Sequence, residues 1–247
     1  MDKLLYISMS GAKENLNATA LRANNLANAK TTGFKSDIEQ ARSMQAFGEG
    51  MPTRVFSLTE RPAQDFTSGP LISTSRDLDV AVQGEGWLVV QAEDGSQALS
   101  RAGSLQIDNA GMLRNAAGQF IMGDGGPIAL PIPVDELNIG SDGTITVRPQ
   151  GAPATVIEEV GRLQLVNPER QNLVKGNDGL FRLKDGGEFV NDAEVTIASG
   201  MLEGSNVNSV SEMVDLISLQ RQFDMQVKMM KTAEEVDTSQ DRLLRLG

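Results

Sequence analysis

Residues 209–247, SVSEMVDLISLQRQFDMQVKMMKTAEEVDTSQDRLLRLG, run without proline and without glycine before the final position. Along them Val210, Met213, Ile217, Gln220, Phe223, Val227, Met230, Ala233, Val236, Gln240 and Leu243 recur in steps of three and four, the spacing of one side of an α-helix. Ser209 and Glu212 open the run as a capping box, in which each side chain can satisfy an orphan backbone amide. The spacing predicts one helix of about 35 residues, roughly 50 Å long at 1.5 Å per residue. That length is well above the globular average and points to a coiled coil or a bundle.

A matching stripe stands at the other end of the chain. Leu5, Met9, Ala12, Leu16, Thr19, Ala23 and Leu26 alternate steps of four and three, and only Thr19 among them is polar. The pattern stops where Asn24, Asn25, Asn28 and Thr31-Thr32-Gly33 cluster, residues that favour turns and, for Gly33, positive φ. The first helix therefore ends near Asn28, and Gly33 marks a backbone bend with Phe34 packed behind it. The two terminal helices are expected to pair with each other. Two helices cannot enclose their seam from all sides, so burial by further copies is expected as well. About fifteen half-buried stripe residues supply only about 10 to 20 kcal/mol, against about 1 to 2 kcal/mol per residue of ordering entropy.

Between the helices the period changes to two. Leu78-Val80-Val82, Trp87-Val89, Leu105-Ile107, Ile145-Val147, Leu163-Leu165 and Phe181-Leu183 read as strand cores. Asp94-Gly95, Asn109-Ala110-Gly111, Asp142-Gly143, Asp178-Gly179 and Asp185-Gly186-Gly187 fall between them as hairpin loops. No fixed period links the turns, so they are not a solenoid repeat. Trp87 is expected to anchor the β core. Residues Ser36 to Arg76 alternate only weakly, at Val55 to Leu58, and hold Gly48-Glu49-Gly50-Met51-Pro52 and Ser68-Gly69-Pro70. The fold class read from these patterns is α+β: a discontinuous terminal helical domain over 1–35 and 205–247, an extended connector over 36–76, and a central all-β domain over 77–204.

Composition narrows the chemistry. Lys plus Arg number 22 against 33 Asp plus Glu, a net charge of −11, which opposes binding to nucleic-acid phosphates or an anionic membrane surface. The chain contains no His and no Cys, which removes Ser-His and Cys-His catalysis, thiolate and imidazole zinc sites and disulfides. No apolar run reaches the roughly 18 to 20 residues of a membrane span, and the amino terminus has no secretory pattern. Asp77 with Asp79, or Glu158 with Glu159, could be imagined as a glycosidase pair, but nothing singles one out. The acidic turns lack calcium-loop spacing, which leaves them Asx-turn roles. Gly123-Asp124-Gly125-Gly126-Pro127 is not followed by a phosphate-binding helix. Met225, Met229 and Met230 read as core or subunit packing.

Three blocks carry a family resemblance. Asn24-Asn25-Leu26-Ala27-Asn28-Ala29-Lys30-Thr31-Thr32-Gly33-Phe34-Lys35 is similar to the segment after the amino-terminal helix of the axial proteins of the bacterial flagellum. Leu78 to Val90 resembles the strand pair that opens the β domain of rod and hook proteins, and Leu202-Glu203-Gly204-Ser205-Asn206-Val207-Asn208, with Gln220-Arg221-Gln222-Phe223, resembles their carboxy-terminal segment. Gly86-Trp87-Leu88-Val89-Val90-Gln91 and Val160 to Val166 look most like the proximal-rod members.

The resemblance implies a structural, non-enzymatic subunit of the basal-body rod, exported uncleaved through the flagellar type III apparatus into the periplasm. Partners implied are copies of itself and other proximal and distal rod subunits, with no nucleic acid, no direct membrane insertion, no cofactor, no metal and no catalytic residue. The assembly interface is expected at Leu5, Met9, Leu16, Asn24, Asn25, Leu26, Asn28, Gly33, Phe34, Met213, Ile217, Gln220, Phe223, Val227 and Met230. Charge agrees: residues 1–35 carry +3, residues 205–247 carry −2 and the middle −12, as a packed core under a solvated β domain would. The competing readings are a distal rod or hook-type subunit, a periplasmic glycan hydrolase, and a binding module that merely dimerises through its end helices.

Overall fold

The computed structural model describes residues 2–45, 55–153 and 155–244. Two long helices flank a multi-stranded β region, an α+β architecture. The chain divides into two compact units, one of residues 1–29, 36–65 and 207–247 and one of residues 30–35 and 66–206.

The helical unit holds α1 (Asp2–Ala27) and α2 (Ser209–Leu244). The end of α1 follows from its asparagines: the Asn28 amide donates to the Asn24 and Asn25 carbonyls, and Asn28 Nδ2 donates to the Asn24 carbonyl at 3.0 Å. At the start of α2 the cap is Asn208, not the Ser209–Glu212 box. Asn208 Oδ1 accepts the amides of Val210 at 3.1 Å and Ser211 at 3.2 Å. Asn caps as well as Ser, and the Glu212 carboxylate is drawn instead to Arg22, 3.1 Å away. The helices run antiparallel, with Gly11 of α1 against Gln226 of α2 and Arg22 against Glu212.

Residues read as an extended connector contain an antiparallel ribbon of Asp37–Gln45 and Val55–Gln64, registered from Asp37 opposite Gln64 to Gln45 opposite Val55. Its register shifts between Ile38 and Gln40. A bulge of this kind breaks the period-two signal. The Gly48 to Pro52 turn signal lies outside the described residues.

The β unit is built on a sheet whose strands lie in the order Leu173–Lys175, Phe181–Leu183, Gln97–Ser100, Trp87–Gln91, Phe120–Gly123, Leu113–Asn115 and Leu105–Ile107. Val134–Ile139, Thr144–Pro149 and Glu158–Arg162 form a second sheet. Val80–Gln83 pairs with Thr196–Ser199, and Leu71–Ser73 with Met201–Glu203. The strand Trp87–Gln91 is buried on both faces. Leu88 and Val90 enter one core with Leu105, Leu113, Ile121 and Ile145; Trp87 and Val89 enter another with Leu99 and Phe181. Trp87 stacks edge-on to Phe66 and tilted against Phe181, with centroids 6.1 and 4.7 Å apart, so it anchors the core as its pattern predicts.

The acidic turns are Asx turns. Asp94 Oδ1 accepts the Ser96 amide at 2.9 Å, Asp108 Oδ1 those of Ala110 and Met112, Asp142 Oδ1 that of Thr144, and Asp178 Oδ1 that of Leu180. Gly111 follows one of them at φ 82°, where a Cβ would sit 2.5 Å from the Leu130 carbonyl oxygen. Of the carboxylates weighed as a catalytic pair, Asp79 is buried and 3.4 Å from Arg76. Glu158 and Glu159 are exposed on the outer strand of the three-stranded sheet.

Candidate assembly surface

The surface is set by which face of each helix the α1–α2 seam consumes. Among the described residues the buried positions are Ser8, Ala12 and Asn25 on α1 and Glu212 and Ala233 on α2. Half-buried Leu216, Leu219, Phe223, Gln226 and Met230 continue the α2 side along the same face. The α1 side of this seam contributes small and polar side chains at its buried positions, and Gly11 packs so that a Cβ would meet Gln226 Nε2 at 3.0 Å. Several larger apolar residues point elsewhere. Met9 is 58% and Leu16 54% exposed, and Met213 and Ile217 are 47% and 56% exposed.

Helix geometry explains the split. Met9 and Leu16 stand three before and four after Ala12, about 60° and 40° around α1 on the same flank. On α2 the predicted stripe contains more steps of three than of four, so it averages fewer than 3.6 residues per step and winds around the helix. It meets the seam at Phe223 and Met230, whereas Ile217, six residues before Phe223, lies about 120° away. Val210 and Val214 add to the exposed apolar side chains at the start of α2.

The predicted assembly residues therefore fall into distinct settings. Met9, Leu16, Asn24, Met213, Ile217, Gln220 and Val227 are exposed, while Leu5, Leu26, Asn28, Phe223 and Met230 are half-buried. Asn25 is wholly buried within the helical unit. Its Oδ1 accepts the Asp37 amide at 2.9 Å and its Nδ2 donates to the Asp37 carbonyl at 2.9 Å and to Glu212 Oε1 at 3.5 Å. Arg22 closes this cluster, 3.1 Å from Glu212 and 3.6 Å from Asp215. Gly33 and Phe34 belong to the β unit. Gly33 has φ 71°, and its Cβ would lie 2.2 Å from the Arg101 carbonyl carbon. The Phe34 ring lies 4.2 Å from Lys175 Nζ.

Sequence reasoning missed the charged residues at depth. Lys35 and Glu203 are each 1% exposed and Arg101 is 4% exposed. Burial pushes the Glu203 carboxyl up, but the hydrogen bonds and charges of Lys35 and Arg101 outweigh it and hold the group below its ordinary value. Lys35 and Glu203 lie in the two segments whose pattern is most distinctive; no periodicity pairs them.

Family models match along the chain. Residues 5–35 match "Flagella basal body rod protein", residues 81–147 "Flagellar hook protein FlgE/F/G D1 domain", and residues 198–243 "Flagellar basal body rod FlgEFG protein C-terminal". The flagellar basal-body rod proteins FlgF of Escherichia coli and Salmonella typhimurium are each 39% identical to this chain, with all of both chains covered. The FlgF of Caulobacter vibrioides is 34% identical over 100% of this chain and 99% of its own. Matched in full length at this identity, the chain belongs to the FlgF family of flagellar basal-body rod proteins.

Proposed function

We propose that the chain is a structural subunit of the bacterial flagellar rod, in its proximal section, where it polymerises through its terminal helices into a periplasmic shaft that transmits torque. The observation that carries this reading is the outward placement of Met9, Leu16, Met213 and Ile217, away from the α1–α2 seam. Burying such side chains fully stabilises by about 1.5 to 3 kcal/mol each, so packing against neighbouring subunits offers apolar burial that the hairpin leaves unused. Neighbours of this chemistry are copies of the chain and other rod subunits, including distal ones. The strongly acidic middle of the sequence suits the solvated exterior of such a tube. The chain acts without catalysis and reaches the basal body through the flagellar type III export apparatus, uncleaved.

Electron cryomicroscopy of purified basal bodies tests the reading. Density for α1 and α2 inside the rod wall at its proximal end is expected. Basal bodies that hold this chain only outside the rod, or not at all, would overturn it.

A further inference from the structure

Residues 30–35 enter the β unit without joining any of its strand pairings among the described residues. Gly33 donates its amide to the Glu203 carbonyl at 2.8 Å, and the Phe34 carbonyl accepts from the Asn206 amide at 3.4 Å. Lys175 donates to the Lys35 carbonyl at 3.0 Å. The deepest attachment is the Lys35 ammonium, which donates to Glu203 Oε1 at 2.7 Å and to the Thr67 carbonyl at 2.8 Å.

Glu203 serves more than Lys35. Its Oε2 accepts from Arg101 Nη1 at 2.8 Å, and its Oε1 also accepts the Gly69 amide at 3.0 Å. Arg101 Nη2 donates in turn to the Gly84 carbonyl at 2.8 Å. Two buried cations thus share one buried carboxylate. A matched pair tolerates burial, whereas a charge stripped of its partner is costly in a low-dielectric interior. Of the two cations only Lys35 lies on residues 30–35, and on leaving it would regain full hydration. Arg101, Glu203, Gly69 and Gly84 would remain bonded to one another as a neutral set.

We propose that residues 30–35 are a separable strap, clasped by Lys35 onto the Arg101–Glu203 pair, which leaves its seat while the rest of the β unit stays folded. The Glu203 charge holds the strap down. Without it, Lys35 and Arg101 repel, and the strap yields because it alone can carry its cation into water. Lys35 and Glu203 are positioning residues that fix where residues 30–35 sit within the β unit.

Hydrogen exchange on the full-length chain tests this. The Gly33 amide, bonded to Glu203, reports the strap, and the Val89 amide, bonded to the Gln164 carbonyl, reports the core. Glu203→Gln keeps the side-chain shape and an acceptor. It is expected to lower protection at Gly33 tenfold or more while Val89 stays within about twofold, since local opening need not follow global unfolding. Adding Lys35→Met to Glu203→Gln removes the repulsion of Lys35 by Arg101 and is expected to restore most of the Gly33 protection. Lys35→Met alone, with the Arg101–Glu203 pair intact, should leave Val89 unchanged. Unchanged protection at Gly33 in Glu203→Gln, no restoration in the double variant, or joint loss at Gly33 and Val89 in Glu203→Gln or Lys35→Met overturns the proposal, and a variant that fails to fold counts as joint loss.

Discussion

Asn25 makes to Asp37 the two backbone bonds that a neighbouring strand would make, one accepted and one donated, both at 2.9 Å. A primary amide offers donor and acceptor at that reach, whereas an ionised carboxylate only accepts. Asn25→Asp would lose the donor and set a carboxylate beside Glu212, so it should destabilise the helical unit by about 3 kcal/mol at neutral pH. Because the damage comes from the ionised form, part of it should be regained as pH falls and the new carboxyl protonates; denaturant unfolding of the full chain across pH checks both parts. Gly33→Ala meets two obstacles, a positive φ costing about 1 kcal/mol or more and a Cβ 2.2 Å from backbone at Arg101. A lowered melting temperature of the β unit is expected, measured by calorimetry. At this scale the sequence was only partly legible. Gly33 declared its bend because few residues adopt positive φ, but nothing in the spacing of Asn25 tells whether an amide faces another copy or its own strand.

Among elements, the acidic turns share with Glu203 the pH dependence of the β unit. Asp94 is held below its ordinary value by hydrogen bonds from the Ser96 hydroxyl and amide, Asp108 by the Met112 amide, Asp142 by the Thr144 hydroxyl and amide, and Asp178 by the Arg182 guanidinium. A carboxyl whose folded pKa is depressed stabilises above its unfolded value, near 4, and loses that contribution as pH falls through the folded value. The melting temperature of the β unit should therefore be nearly flat from pH 7 to about 5 and drop below about 4. In Asp142→Asn, which keeps the acceptor but not the charge, the acid drop should be smaller; an equal drop would count against the turns as its source. These turns, most of the strand cores and both helices were legible because each rests on local spacing: the first helix, expected to end near Asn28, ends at Ala27, whereas Leu163-Leu165 spans the break between Glu158–Arg162 and Leu165–Val166. The ribbon over 37–64 was not, because its alternation is weak and a bulge between Ile38 and Gln40 shifts its phase. The Ser209–Glu212 capping box was misread for a related reason, since Glu212 has a long-range partner in Arg22 that no short window contains.

For the whole molecule the account rests on apolar residues that the folded chain leaves outside. Leu16 and Ile217 are more than half exposed, so Leu16→Asp and Ile217→Asp should change the melting temperature of the free chain little, as surface substitutions do. In an assembled rod the same changes would bury an unpaired charge, at a cost of several kcal/mol repeated in every copy. Lys13→Asp, at an exposed polar position of α1, serves as the charge-change control. The most direct measurement is the content of this chain in basal bodies purified from strains carrying each variant, with secreted protein quantified in parallel so that failed export is separated from failed packing. The account predicts secretion preserved, incorporation abolished for Leu16→Asp and Ile217→Asp, and incorporation near normal for Lys13→Asp. Rods with normal subunit content in both apolar variants would contradict it and leave the terminal helices without a role in assembly.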